Sequence, residues 1–111
     1  MTINGVEFDV DFTDADLLER VEKEREQVLK KCEELENNQN LSSAEGIRQT
    51  CKVLKNFLNC VFGYNVSEKA FGNKDSLKDC IKAYEDIFEE LDKQHNEMKD
   101  IFNKYSPDRL K

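Results

Sequence analysis

The sequence predicts a mainly α protein: a three-helix antiparallel bundle with a short connecting helical turn and an N-terminal β-strand or short hairpin. Three observations carry that expectation. Apolar residues recur at helical spacing along three long stretches. Two Phe-Gly pairs, Phe62-Gly63 and Phe71-Gly72, bracket a short segment between the two most apolar of those stretches. Each pair reads as a helix end, an apolar residue turned inward and then a glycine free to adopt the left-handed backbone angles that close a helix. Ahead of the helices, Ile3 to Phe12 alternates with period two.

Taken in order, the strand signal spans residues 2–12, with Val6, Phe8, Val10 and Phe12 on one side and Glu7, Asp9 and Asp11 on the other. β-Branched and aromatic residues in alternation favour extended backbone. Asn4-Gly5 is a hairpin signal, although few residues precede it. A lone strand leaves its backbone groups unpaired, so this one needs a partner. The candidates are a very short hairpin arm, a helix over its apolar face, or a strand from another chain.

Helix one is expected over about 14–36, capped by Thr13, with Leu17, Leu18, Val21, Val28, Cys32 and Leu35 as its stripe and Arg25 interrupting it. Asn37 to Asn40 breaks it. Ser42 and Glu45 form a capping box for helix two, over 43–62, which has the richest apolar face in the chain. A helical turn at 67–71 takes Ser67 as its cap. The last helix, over 76–105, takes Asp75 as its cap, and Pro107 stops it. At 1.5 Å per residue that helix is ~42 Å long. Its apolar stripe outruns what one neighbour can cover, which suggests self-association or a partner groove. Gln94, His95 and Asn96 break the stripe where the internal core is expected to end.

The chain has 111 residues, enough for one domain with a modest core. Charged residues make up 37% of it, which suits amphipathic helices with wet outer faces. The net charge of −7 disfavours a phosphate backbone or an anionic membrane surface as partner. No apolar run reaches the ~18 residues of a spanning helix. The N-terminus lacks the basic start and apolar core of a signal peptide, so a cytoplasmic location is expected.

Catalytic chemistry is hard to place on these residues. Cys32, Cys51, Cys60 and Cys80 form no C-x-x-C and each falls in a helical pattern, so they read as small buried hydrophobes. The acidic run Asp9, Asp11, Asp14, Asp16 fails as a calcium loop, because the positions that need Gly and Glu hold Asp14 and Arg20. His95, in a charged stretch with no nucleophile pattern, reads as a solvated surface residue. No catalytic residue, cofactor or metal is expected. What is expected is a structural corner of Phe57, Phe62, Gly63, Phe71 and Gly72. Candidate partner contacts are Val6, Phe8 and Val10 on the strand, Tyr64 just past the corner, and Met98 and Phe102 on the last helix.

The chain also carries a family resemblance. A strand I-x-G-V-E-F-D-V-D-F precedes an acidic helix start D-A-D-L-L-E-R and a central helix closing in F-L-N-C-V-F-G. K-A-F-G-N-K-D-S-L-K-D-C then heads the long last helix. This order, over Ile3 to Tyr84 with Phe57, Phe62, Gly63, Phe71, Gly72 and Cys80 as its matching positions, resembles small proteins of the tail-morphogenesis region of phages and prophages of Gram-positive bacteria. The resemblance implies a tail assembly chaperone or tail accessory protein. Such a protein binds the tape-measure protein, a long apolar helical chain, while the tail is built. A structural tail subunit and a host-directed helical regulator are the rival readings.

Overall fold

The computed structural model describes residues 1–105, so the stop assigned to Pro107 lies outside the described residues. Two short strands, β1 (Thr2–Ile3) and β2 (Val6–Glu7), precede four helices. These are α1 (Ala15–Glu36), α2 (Ser43–Phe62), α3 (Val66–Phe71) and α4 (Leu77–Lys104). The mainly helical class with a short N-terminal hairpin is as the sequence predicts.

The strand itself is much shorter than the alternating stretch. β1 and β2 pair antiparallel, Thr2 opposite Glu7 and Ile3 opposite Val6. Asn4 and Gly5 turn the chain with φ of 49° and 84°, the double positive φ of a type I′ hairpin. Met1 and Phe8 add a further pair, each N–H donating to the other's carbonyl at 2.8 Å. The partner is therefore the very short hairpin arm, and no second chain is needed to satisfy this strand. From Asp9 to Phe12 the backbone has no strand neighbour among the described residues, yet the alternation persists: Phe8 and Val10 are half-buried, Phe12 is buried, and Asp9 and Asp11 face out.

Three helix caps differ from expectation by one or two residues, and each for an identifiable reason. Asp14 caps α1, its carboxylate accepting from Leu17 N at 3.1 Å. Thr13 instead donates from its N–H and hydroxyl to Asp11, which holds that carboxyl below its ordinary value. Ser76 caps α4, leaving Asp75 to pair with Lys55 Nζ at 2.9 Å. α3 starts after Asn65, which sits in left-handed backbone at φ 72°. Ser67 is buried and its N–H donates to Asn59 Oδ1 at 2.9 Å. The Ser42 cap on α2 is as expected, accepting from Glu45 N at 3.1 Å.

α1 runs antiparallel to both long neighbours. Arg20 Nη1 reaches Val61 O at 3.5 Å, and the Arg25 guanidinium stacks 4.8 Å from the Phe88 ring centroid. Arg25 is exposed, so it interrupts the apolar stripe of α1 with its charge in solvent while its guanidinium covers the Phe88 ring. α2 and α4 run parallel, since Cys51 meets Cys80 and Phe57 meets Tyr84 and Phe88. The corner thus turns the chain twice. α3 carries it back along α2, and Lys55 pins the return by donating to Lys74 O at 2.6 Å.

The corner glycines close α2 and α3 as expected, through Gly63 N to Asn59 O at 3.0 Å and Gly72 N to Glu68 O at 2.8 Å. Their backbone is not left-handed helical. Gly63 has φ 122° and ψ 164°, and Gly72 φ 60° and ψ −133°, regions that essentially only glycine occupies. A Cβ on Gly63 would meet no atom within 4 Å, so its cost is purely backbone strain. Gly63→Ala is expected to lower unfolding free energy by about 1–3 kcal/mol in a urea titration.

The core gathers Ile3, Phe12, Val21, Cys51, Phe57, Val61, Cys80 and Ile87, all essentially inaccessible. Phe62 and Phe71 pack against it half-buried. The thiols do not share one fate: Cys51 and Cys80 are buried, Cys32 is half-buried and Cys60 is exposed. Burial pushes the Cys80 thiol up from 9.0 to about 12, and the adjacent Cys51 adds to the shift. Above pH 9 the unfolded chain releases this proton while the folded chain keeps it. Stability is therefore expected to fall as pH rises from 9.0 toward about 12, with a shallower fall in Cys80→Ala melts.

Candidate interaction surface

The long last helix is held in two different ways along its length. Tyr84, Ile87 and Phe88 pack into the core, where Tyr84 lies edge-on to both Phe57 and Phe88. One to two turns later the contact becomes polar. Gln94 Nε2 donates to Val10 O at 2.9 Å, and Gln94 Oε1 accepts from Phe12 N at 2.7 Å. His95 Nε2 donates to Phe12 O at 2.8 Å. The two side chains supply the hydrogen bonds that a partner strand would otherwise give the extended 8–12 segment. His95 is thus a half-buried anchor and not a solvated residue.

Past His95, α4 has no packing neighbour among the described residues. Each residue from Asn96 to Tyr105 is exposed. α2 has already ended, and α1 begins beside this level, so neither can follow. The molecule is elongated as a result, 64 × 29 × 21 Å. Its Cα radius of gyration is 17.0 Å, against about 13 Å for a compact chain of this length.

Along this overhang Met98, Ile101, Phe102 and Tyr105 form one stripe at helical spacing, and Phe102 is 81% exposed. They are half of the exposed large hydrophobics among the described residues. The stripe continues, toward the body, a groove of about 300 Å³ between α1 and α4. Leu18, Val21, Phe88 and Leu91 line it, with Arg25 and His95 among its polar residues. At the same end of the body Tyr64 is 89% exposed, just past Gly63. Apolar side chains left in water this close together mark a contact surface.

The structure separates the sequence-predicted contacts into two groups. Met98, Phe102 and Tyr64 are open to solvent. Phe8 and Val10 are turned against the core, Phe8 stacking on Phe62 with centroids 6.5 Å apart, and Val6 is half-buried in the hairpin. Ile101 and Tyr105 belong to the exposed stripe and were legible in the heptad-like spacing with Met98. The Gln94–His95 anchor was signalled only by the break in the apolar stripe.

Among the described residues no three His, Cys, Asp or Glu side chains gather as for a metal ion. Burial raises the Tyr84 phenol, and its hydroxyl is enclosed beside the aromatic cluster with no hydrogen-bond partner among the described residues. Burial, followed by the Glu24 carboxylate, raises the Cys60 thiol, which blunts the one exposed cysteine as a nucleophile. No helix among the described residues is long and apolar enough to cross a membrane.

Neither a curated protein nor a solved structure matches the chain. A family model described as a family of unknown function, DUF6673, matches residues 4–111. That span takes in the hairpin turn, the corner and the whole of α4, and the chain belongs to this family.

Proposed function

We propose that this protein is a non-enzymatic assembly chaperone or accessory factor of a phage or prophage tail. In this reading it acts in the bacterial cytoplasm and binds the tape-measure protein while the tail is built. The observation that carries the reading is the α4 overhang, where Met98, Ile101, Phe102 and Tyr105 stand in solvent on a helix held rigidly at its base. An amphipathic helix from a partner would lay its own apolar face along this stripe and into the adjoining α1–α4 groove. The tape-measure protein, long, helical and apolar, presents such faces. A net charge of −7 would keep the complex dispersed while those faces are covered. The resemblance to tail-morphogenesis proteins supports the same partner.

The test is a pull-down with tagged full-length chain, co-expressed with the tape-measure protein encoded in the same tail region. Recovery of that protein with the chain is the expected result. Failure to recover it, with both proteins present in the extract, would remove the reading.

A further inference from the structure

We propose that the hollow between α1 and α2, flanked by Lys31 and Lys52, binds a small phosphate-bearing molecule. This hollow shares no residue with the α4 overhang or the α1–α4 groove, so its role does not depend on the tail-assembly reading.

Charge carries the inference. In a chain with 24 acids against 17 bases, a hollow of about 320 Å³ is lined by two lysines and no carboxylate. Gln49, Val53 and Asn56 complete its lining. Gln49, Lys52, Val53 and Asn56 stand at i, i+3, i+4 and i+7, the spacing that puts them on one face of α2. Lys31 comes from α1, so the two ammonium groups belong to different helices and meet over one gap. Neither makes an ion pair among the described residues.

A second hollow, of about 430 Å³, lies on the other side of the Gln49–Lys52–Asn56 row. Its further cations are already matched, Arg48 by Glu45 at 3.6 Å and Lys55 by Asp75 at 2.9 Å. Lys31 and Lys52 have no such partner, and their like charges are offset by nothing that lines the gap.

The donor set selects the ligand. Two ammonium groups match a compact dianion, and a phosphate ester carries about −1.5 to −2 on a single group at pH 7. A dicarboxylate divides the same charge between two ends. Gln49 uses one N–H on Glu45 Oε1 at 2.8 Å and keeps another, and Asn56 adds a second carboxamide for the remaining phosphate oxygens. Val53, packed against the core, makes part of the wall apolar, which strengthens the attraction between the charges. The net charge of −7 still repels a long phosphate backbone, whereas a single phosphate between the lysines is screened from most of the remaining charge.

Amide NMR titration of the full chain with sodium phosphate, at an ionic strength held constant with sodium chloride, tests this. Shifts are expected to concentrate at Lys31 and along Gln49 to Asn56, with binding in the millimolar range. Lys31→Gln and Lys52→Gln should each weaken it about five- to tenfold at an unchanged melting temperature. Lys82→Gln, which removes an exposed lysine on α4, should leave it as it is. Binding should also weaken from about pH 8 to about pH 5, as phosphate takes up a proton and loses charge. Shifts that sodium chloride alone reproduces, that survive Lys52→Gln, or that succinate induces as strongly overturn the proposal. None of these outcomes involves a tail protein, so failure here and failure of tape-measure binding are separable results.

Discussion

Phe57→Ala is expected to lower the unfolding free energy by about 3–5 kcal/mol, read from the shift of a denaturant midpoint at constant slope. Phe57 is 1% exposed and sits on the face of α2 that meets α4. Its ring lies 5.1 Å from that of Tyr84, edge-on, and 6.1 Å from that of Phe88. Truncation removes the transfer energy of a whole ring and leaves a cavity between two parallel helices. Their remaining side chains cannot close that cavity, because α3 and the Lys55–Asp75 pair fix their spacing. Phe57→Leu, which keeps most of the volume, should cost clearly less. Against a total stability of roughly 5–15 kcal/mol for a small domain, the alanine variant approaches the limit of folding.

Phe12→Ala is expected to have a comparable effect, again about 3–5 kcal/mol, with a different spatial signature. Phe12 is fully buried and meets Phe62 edge-on at 6.2 Å. Its ring holds the extended 8–12 segment in place while Gln94 and His95 bind the backbone of that segment. When the ring is lost, the segment should lift away and α4 lose its polar anchor. Hydrogen exchange should then quicken at Phe12 N–H and along the 91–95 turn. Gln94→Ala alone should cost about 1–3 kcal/mol, since it orphans a buried N–H. The two substitutions remove one shared contact, so the double variant should cost less than the sum of the singles.

The contrast between these two sites shows how far the sequence reaches. Phe57 lies in a helical stripe so regular that its burial follows from periodicity alone, and the bounds of α2 come out residue for residue. The alternation of residues 6–12 also predicts which side chains point inward. It cannot say that the ladder stops at Phe8, because alternation reports the burial of side chains and not the identity of the hydrogen-bond partner. That partner lies more than 80 residues away, on Gln94 and His95, beyond the reach of any local pattern. The caps misplaced by a residue or two at Thr13, Ser67 and Asp75 share a cause. Each site offers several adjacent polar side chains, and a local contact with Asp11 and more distant ones with Asn59 and Lys55 decide which of them is left to cap. The parallel course of α2 and α4 depends on α3 returning along α2, which two glycines permit but do not dictate. Tyr64, Met98 and Phe102 stand exposed as contact candidates, whereas Phe8 and Val10 are claimed by the core.

The central claim is that α4 beyond His95 serves binding and contributes nothing to the fold. It is tested most directly by Ile101→Glu/Phe102→Glu in the full chain, scored together for thermal melting and for keeping co-expressed tape-measure protein soluble. An unchanged melting temperature with the tape-measure protein lost to the pellet is the predicted result. A variant that still keeps that protein soluble, or one whose own melting temperature collapses, would contradict the claim.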